Sequence, residues 1–178
     1  RLPMATTFEV AVSAEAKSAL GQQLSAPVRW SFSTPGPRVE EVYPNPYETR
    51  GLAQVMFARF DQQIDPQQAL KQIKLKTGLF FGGMAVMQAD PAQIEADPQL
   101  KQLTTQAKPG TWVTFQATTP LPPDATITAT IEGVASQEGP RTMPKAHELS
   151  FRTYGMLRVT RASCGYGYEG CRPNQPIY

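Results

Sequence analysis

Leu121-Pro122, then Thr126-Ile127-Thr128-Ala129-Thr130-Ile131, then Leu149-Ser150-Phe151-Arg152-Thr153 decide how this chain is read. Ile127, Ala129 and Ile131 alternate with threonines, and Leu149 and Phe151 alternate with polar residues. A period of two sends one face of a strand inward and the other outward. A threonine-rich outer face suits an exposed antiparallel sheet. Gly139-Pro140 marks the turn between the two runs. The same pattern stands near the start: Leu2-Pro3, then Thr7-Phe8-Glu9-Val10-Ala11-Val12, a turn around Gly21, then Trp30-Ser31-Phe32-Ser33-Thr34. One offset, 119 residues, carries Leu2 onto Leu121 and Thr34 onto Thr153. Self-similarity at a fixed offset is the signature of repeated modules.

If this strand pair closes a module, the chain divides in three. Residues 1–36 form the C-terminal half of an Ig-like domain, 37–155 a complete β-sandwich, and 156–178 the start of a following domain, where Leu157-Arg158-Val159-Thr160 alternates again. Arg1-Leu2-Pro3 runs directly into strand-like sequence and reads as an internal cut. A missing leader therefore says nothing about location.

Working inward, Val39 and Val42 start a strand that Pro44-Asn45-Pro46 stops. Val55-Met56-Phe57-Ala58-Arg59-Phe60 is apolar on both faces and reads as a central strand. Asp65-Pro66 is a helix start, an N-cap acid followed by proline at the first helical position. It predicts one turn through Leu70, followed by a strand holding Ile73 and Leu75. Asp90-Pro91 and Asp97-Pro98 are two more such starts, with Ile94, Leu100 and Leu103 on one side of a short helical insertion at about 90–106. After Lys108-Pro109-Gly110, Val113, Phe115 and Ala117 resume strand alternation, with Trp112 on the other face. The expected fold is mostly β: tandem Ig-like antiparallel sandwich modules with that single helical insertion.

Composition agrees with this reading. The chain has 178 residues, 17 prolines and 13 glycines spread along its length, as frequent turns between short strands require. Its formal charge of +2 is mixed along the sequence. No basic stripe of the kind that nucleic acid selects is present, and no apolar run approaches the ~18 residues of a membrane span.

Several stretches, in order, resemble the bacterial α2-macroglobulin family: Trp30-Ser31-Phe32-Ser33-Thr34-Pro35 with Arg38-Val39, Phe60-Asp61-Gln62-Gln63-Ile64-Asp65-Pro66, Ala96-Asp97-Pro98-Gln99-Leu100, Pro120-Leu121-Pro122-Pro123, and Leu149-Ser150-Phe151-Arg152-Thr153-Tyr154-Gly155-Met156-Leu157-Arg158-Val159, with Cys164 and Cys171 shortly after. The resemblance implies macroglobulin-like sandwich domains in the N-terminal part of a large periplasmic or cell-envelope protein. It also implies anchoring through a lipidated N-terminus outside this chain. The implied role is a protease trap, in which cleavage of a bait segment triggers a conformational change. The partners would be neighbouring domains of the same chain and target proteases. Many members carry a Cys-x-Glu-Gln thioester. Cys164 is followed by Gly165, Tyr166 and Gly167, so no thioester chemistry carries over, and no bait segment is assigned.

Other chemistry is weakly signalled. Cys164 and Cys171 flank Gly165-Tyr166-Gly167-Tyr168-Glu169-Gly170, whose glycines permit a tight reversal and a local disulfide. Reactive dithiols favour the closer Cys-x-x-Cys spacing, and zinc needs more nitrogen or sulfur ligands than two cysteines and the distant His147. His147 has no Gly-x-Ser-x-Gly elbow to serve and reads as a solvated strand residue. Glu40-Glu41 reads as an exposed strand end. Phe80-Phe81-Gly82-Gly83 lacks the spacing and lysine of a phosphate loop. Trp30 and Trp112 are expected in core packing rather than as sugar-stacking platforms. No catalytic, cofactor-binding or metal-binding residue is expected. The competing reading is an Ig-like stalk repeat of a bacterial surface adhesin, which predicts near-identical repeats.

Overall fold

The structure, a computed structural model, describes residues 1–78 and 80–159. Two strands, β1 (Thr7–Val12) and β2 (Val28–Ser33), form a separate antiparallel hairpin. The remaining strands build two facing sheets. One has the order β3 (Val39–Tyr43), β5 (Met56–Phe60), β9 (Trp112–Ala117), β8 (Val86–Gln88). The other has the order β4 (Thr49–Arg50), β11 (His147–Thr153), β10 (Thr126–Ile131), β6 (Ile73–Thr77), β7 (Phe80–Met84).

Counted without the short β4 and the edge strand β7, this is the strand order of an immunoglobulin-type sandwich: first, second, fifth and fourth strands on one sheet, and seventh, sixth and third on the other. The short β4 adds to β11 in parallel. Between the sheets, Met56, Ala58, Phe60, Leu75, Val113, Phe115, Ile127, Ala129, Ile131, Leu149 and Phe151 close one core.

The double-sided apolarity of Met56–Phe60 has a structural cause. β5 lies between β3 and β9, and its other face is also covered. Helices α2 (Pro91–Ala96) and α3 (Pro98–Gln106) lie over it, so that Tyr43, Phe57, Ala89 and Leu100 form a second core with Ile94, Leu103 and Trp112 at its margin. The helical insertion is thus a third layer on the β3-β5-β9-β8 sheet. The three Asp-Pro starts all cap helices. Asp65 accepts from the amides of Gln67 and Gln68 at the head of α1 (Pro66–Lys71), Asp90 closes a capping box with Gln93, and Asp97 accepts from the amides of Gln99 and Leu100. Strands β7 and β8 extend the two sheets at positions for which the sequence analysis names no strand. Glu40 and Glu41 are more than an exposed strand end: both carboxylates take the guanidinium of Arg59 from the neighbouring strand, at 2.9 and 3.0 Å.

Candidate inter-module joint and exposed sheet face

The internal repeat is preserved in atomic detail. Within the hairpin Phe8 faces Phe32, Val10 faces Trp30 and Val12 faces Val28. Shifted by 119 residues, Ile127 faces Phe151, Ala129 faces Leu149 and Ile131 faces His147. The threonine that ends each pair makes the same latch. The Thr34 hydroxyl donates to the Pro3 carbonyl (2.9 Å) and accepts from the Thr6 amide (3.0 Å). The Thr153 hydroxyl donates to the Pro122 carbonyl (2.6 Å) and accepts from the Ala125 amide (2.9 Å). The residue before each latched amide is left-handed, Ala5 at φ 53° and Asp124 at φ 52°. Each donates its amide across the pair, to Pro35 (2.9 Å) and to Tyr154 (3.1 Å). An L residue at positive φ is unusual, so its recurrence at one offset marks a shared local design.

The two copies differ in what covers them. In the second, Leu149 is 0% and Phe151 1% exposed beneath the opposite sheet; in the first, Trp30 is 49% and Phe32 41% exposed. Against the expectation that Trp30 packs in a core, it stands on a sheet face that none of the described residues covers, with Phe8 and Phe32 stacked on each other beside it at 5.3 Å between ring centroids. Trp112 does pack, tilted against Phe57. A lone two-stranded hairpin is marginal in water, so this one needs other support.

Part of that support is a joint with the sandwich. The left-handed Ala5 is fully buried, and its carbonyl accepts from the Arg141 amide (3.0 Å). The buried Gln62 side chain donates through Nε2 to the Pro35 carbonyl (3.0 Å). The Asp61 amide donates to the Arg38 carbonyl (3.1 Å), the Asp61 carboxylate accepts from the Arg38 amide (2.9 Å), and the two side chains close an ion pair (3.0 Å). Two glycines let the backbones meet. A Cβ on Gly36 would fall 2.2 Å from the Thr142 oxygen, and one on Gly139 would fall 2.6 Å from the carbonyls of Met4 and Ala5. At the equivalent place in the second copy the left-handed residue and its amide bond recur, but none of the described residues covers them: Asp124, Gly155 and Met156 are exposed where Ala5, Gly36 and Pro37 are buried.

Elsewhere, polar contacts tie the helical layer to the sandwich: Gln93 on α2 donates its side-chain amide to Gln116 on β9 at 2.9 Å, and Asp97 makes a second tie. Asp97 caps α3 through Oδ1 and accepts the Tyr43 hydroxyl through Oδ2 at 2.7 Å. Burial, reinforced by this bond to a carboxylate, pushes the Tyr43 phenol up to about 12. The Arg50 guanidinium sits 4.9 Å over its ring. His147 is half-buried at the first position of β11 rather than solvated, and burial lowers its pKa. Leu157, Arg158 and Val159 are exposed and lie in no strand; Cys164 and Cys171 fall outside the described residues.

No family model matches the chain. It is 21% identical over 161 residues to circularly permutated Ras protein 2 of Dictyostelium discoideum, a match that spans 86% of this chain but only 4% of that protein. Among solved structures, surface layer protein SbsC (domains 1–6) aligns over 74% of this chain and 15% of its own at 12% identity and a TM-score of 0.43. An L,D-transpeptidase from Mycobacterium smegmatis aligns over 72% of this chain and 54% of its own at 15% identity and a TM-score of 0.41. None of these likenesses bears on what the chain does.

Proposed function

We propose that this chain is a structural, non-catalytic segment of a large modular protein of the cell envelope, of the bacterial α2-macroglobulin kind, acting as part of a protease trap. The observation that supports it is the joint between the hairpin and the sandwich. It is built from backbone bonds, the Gln62 side chain, the Arg38–Asp61 ion pair and two sterically required glycines, and the same latched, left-handed turn recurs at residues 122–156, exposed among the described residues. Such joints fix one module against the next, so that strain released at one point moves modules as bodies. The work of the segment is mechanical, and its partners are its neighbouring domains and, through the whole protein, target proteases.

The adhesin-stalk reading calls for near-identical repeats. The two copies here keep the latch but change the face: Trp30 against Leu149, Val28 against His147, Phe8 against Ile127. That divergence favours modules specialised for different neighbours. The test is limited proteolysis of the full-length protein. A trap becomes more compact in sedimentation and retains the protease after cleavage; a cleaved protein that keeps its shape and releases the protease contradicts the proposal.

A further inference from the structure

We infer that the apolar face of the hairpin, carried by Val10, Trp30 and Phe32, is the binding surface for a four-stranded β-sheet supplied by the polypeptide preceding Arg1. Together they would complete a second sandwich. This deepens the modular part of the reading above and is independent of the trapping role.

The repeat identifies the occupant. Every residue on this face has a counterpart 119 positions later, and four of those counterparts, Ile127, Ala129, Leu149 and Phe151, are at most 1% exposed. What buries them is chiefly the β3-β5-β9-β8 sheet of the same module, through Met56, Ala58, Val113 and Phe115. Since register, latch and left-handed residue are all kept between the copies, the hairpin presents the face of a module's closing strands. The opposite face of the hairpin carries Thr7, Glu9, Arg29, Ser31 and Ser33 and is built for water. A sheet of apolar alternation fits the first face and not the second. The hairpin would be the last part of its module, so the missing part lies upstream and amounts to roughly 80 residues by the repeat length. The joint residues Ala5, Gly36 and Gln62 hold the hairpin at its other end and leave this face open.

The experiment compares the 178-residue chain with the same chain extended upstream by one such segment, both carrying Trp112→Phe and with any upstream tryptophan likewise replaced by phenylalanine, so that Trp30 is the sole tryptophan. In the short chain, Trp30 emission is that of a half-exposed indole and acrylamide quenches it readily. In the extended chain it shifts to shorter wavelength and quenching falls several-fold. Trp30→Glu serves as the second variant: it leaves the melting temperature of the short chain unchanged and abolishes the added cooperative transition of the long one. Three results overturn the inference: Trp30 equally quenchable in both chains; an upstream sequence without strand alternation; or a concentration-dependent dimer of the short chain that Trp30→Glu dissociates, which would make a second copy the occupant.

Discussion

Thr34 and Thr153, 119 residues apart, each donate a hydroxyl hydrogen bond to the carbonyl of the proline in a Leu-Pro pair and accept one from a backbone amide. The Thr153 latch is buried, and the Ala125 amide has it as acceptor. Thr153→Val removes that acceptor and is expected to cost about 1–3 kcal/mol in chemical denaturation. Thr153→Ser keeps the hydroxyl and should stay within about 1 kcal/mol of the native protein. Equal losses for both variants would mean that packing, and not the latch, holds β10 to β11.

The same position in the two copies should respond differently to truncation. Leu149→Ala empties a closed core and is expected to cost about 2–5 kcal/mol. Trp30→Ala removes a larger side chain from an exposed face and should cost about 1 kcal/mol or less in the global unfolding of this chain. Urea midpoints of the two variants decide the matter, and comparable losses would show that the hairpin face is already covered.

Much of this fold is legible in the sequence. The offset that joins Leu2 to Leu121 predicts two copies of one strand–turn–strand pattern, because alternation and the place where each run begins are repeated in the sequence. The Asp-Pro dipeptides at 65, 90 and 97 place three helices, since capping is local chemistry. Three features stayed hidden. The exposure of Trp30 depends on a covering sheet, which alternation does not report. The joint depends on Gly36 and Gly139 meeting backbone from distant segments, and an isolated glycine in a turn-rich sequence carries no sign of that. The role of the insertion as a third layer could have been suspected from the two apolar faces of Met56–Phe60, but the partnership of Tyr43 with Asp97 spans 54 residues and has no local signal.

At the joint, Gly139→Ala forces a methyl group against the carbonyls of Met4 and Ala5. Hydrogen exchange of the Arg141 amide, which is bonded to Ala5, should accelerate roughly tenfold or more, while Ile127 and Ala129 in the sandwich keep their protection. Unchanged exchange at Arg141 would show that the contact yields without cost.

Tyr43 offers a pH-dependent readout. Its phenol is raised to about 12 in the folded protein, against about 10 in an unfolded chain. Folding therefore favours the protonated phenol. Its stabilising effect is complete below pH 10 and is lost as the pH climbs from 10 towards 12. Tyrosinate absorbance should show one residue titrating late, and Tyr43→Phe should remove that step and flatten the loss of stability above pH 10. Asp97→Ala, which strips both the α3 cap and the phenol's partner, is expected to cost about 1–3 kcal/mol.

A mechanical role requires the joint to hold the hairpin in one fixed relation to the sandwich. Spin labels at Glu9→Cys on β1 and Lys76→Cys on β6, both exposed positions, report that relation by double electron–electron resonance once Cys164 and Cys171 are replaced by serine. A fixed joint gives one narrow distance distribution, which Gly139→Ala broadens. A distribution already broad before that substitution would contradict it.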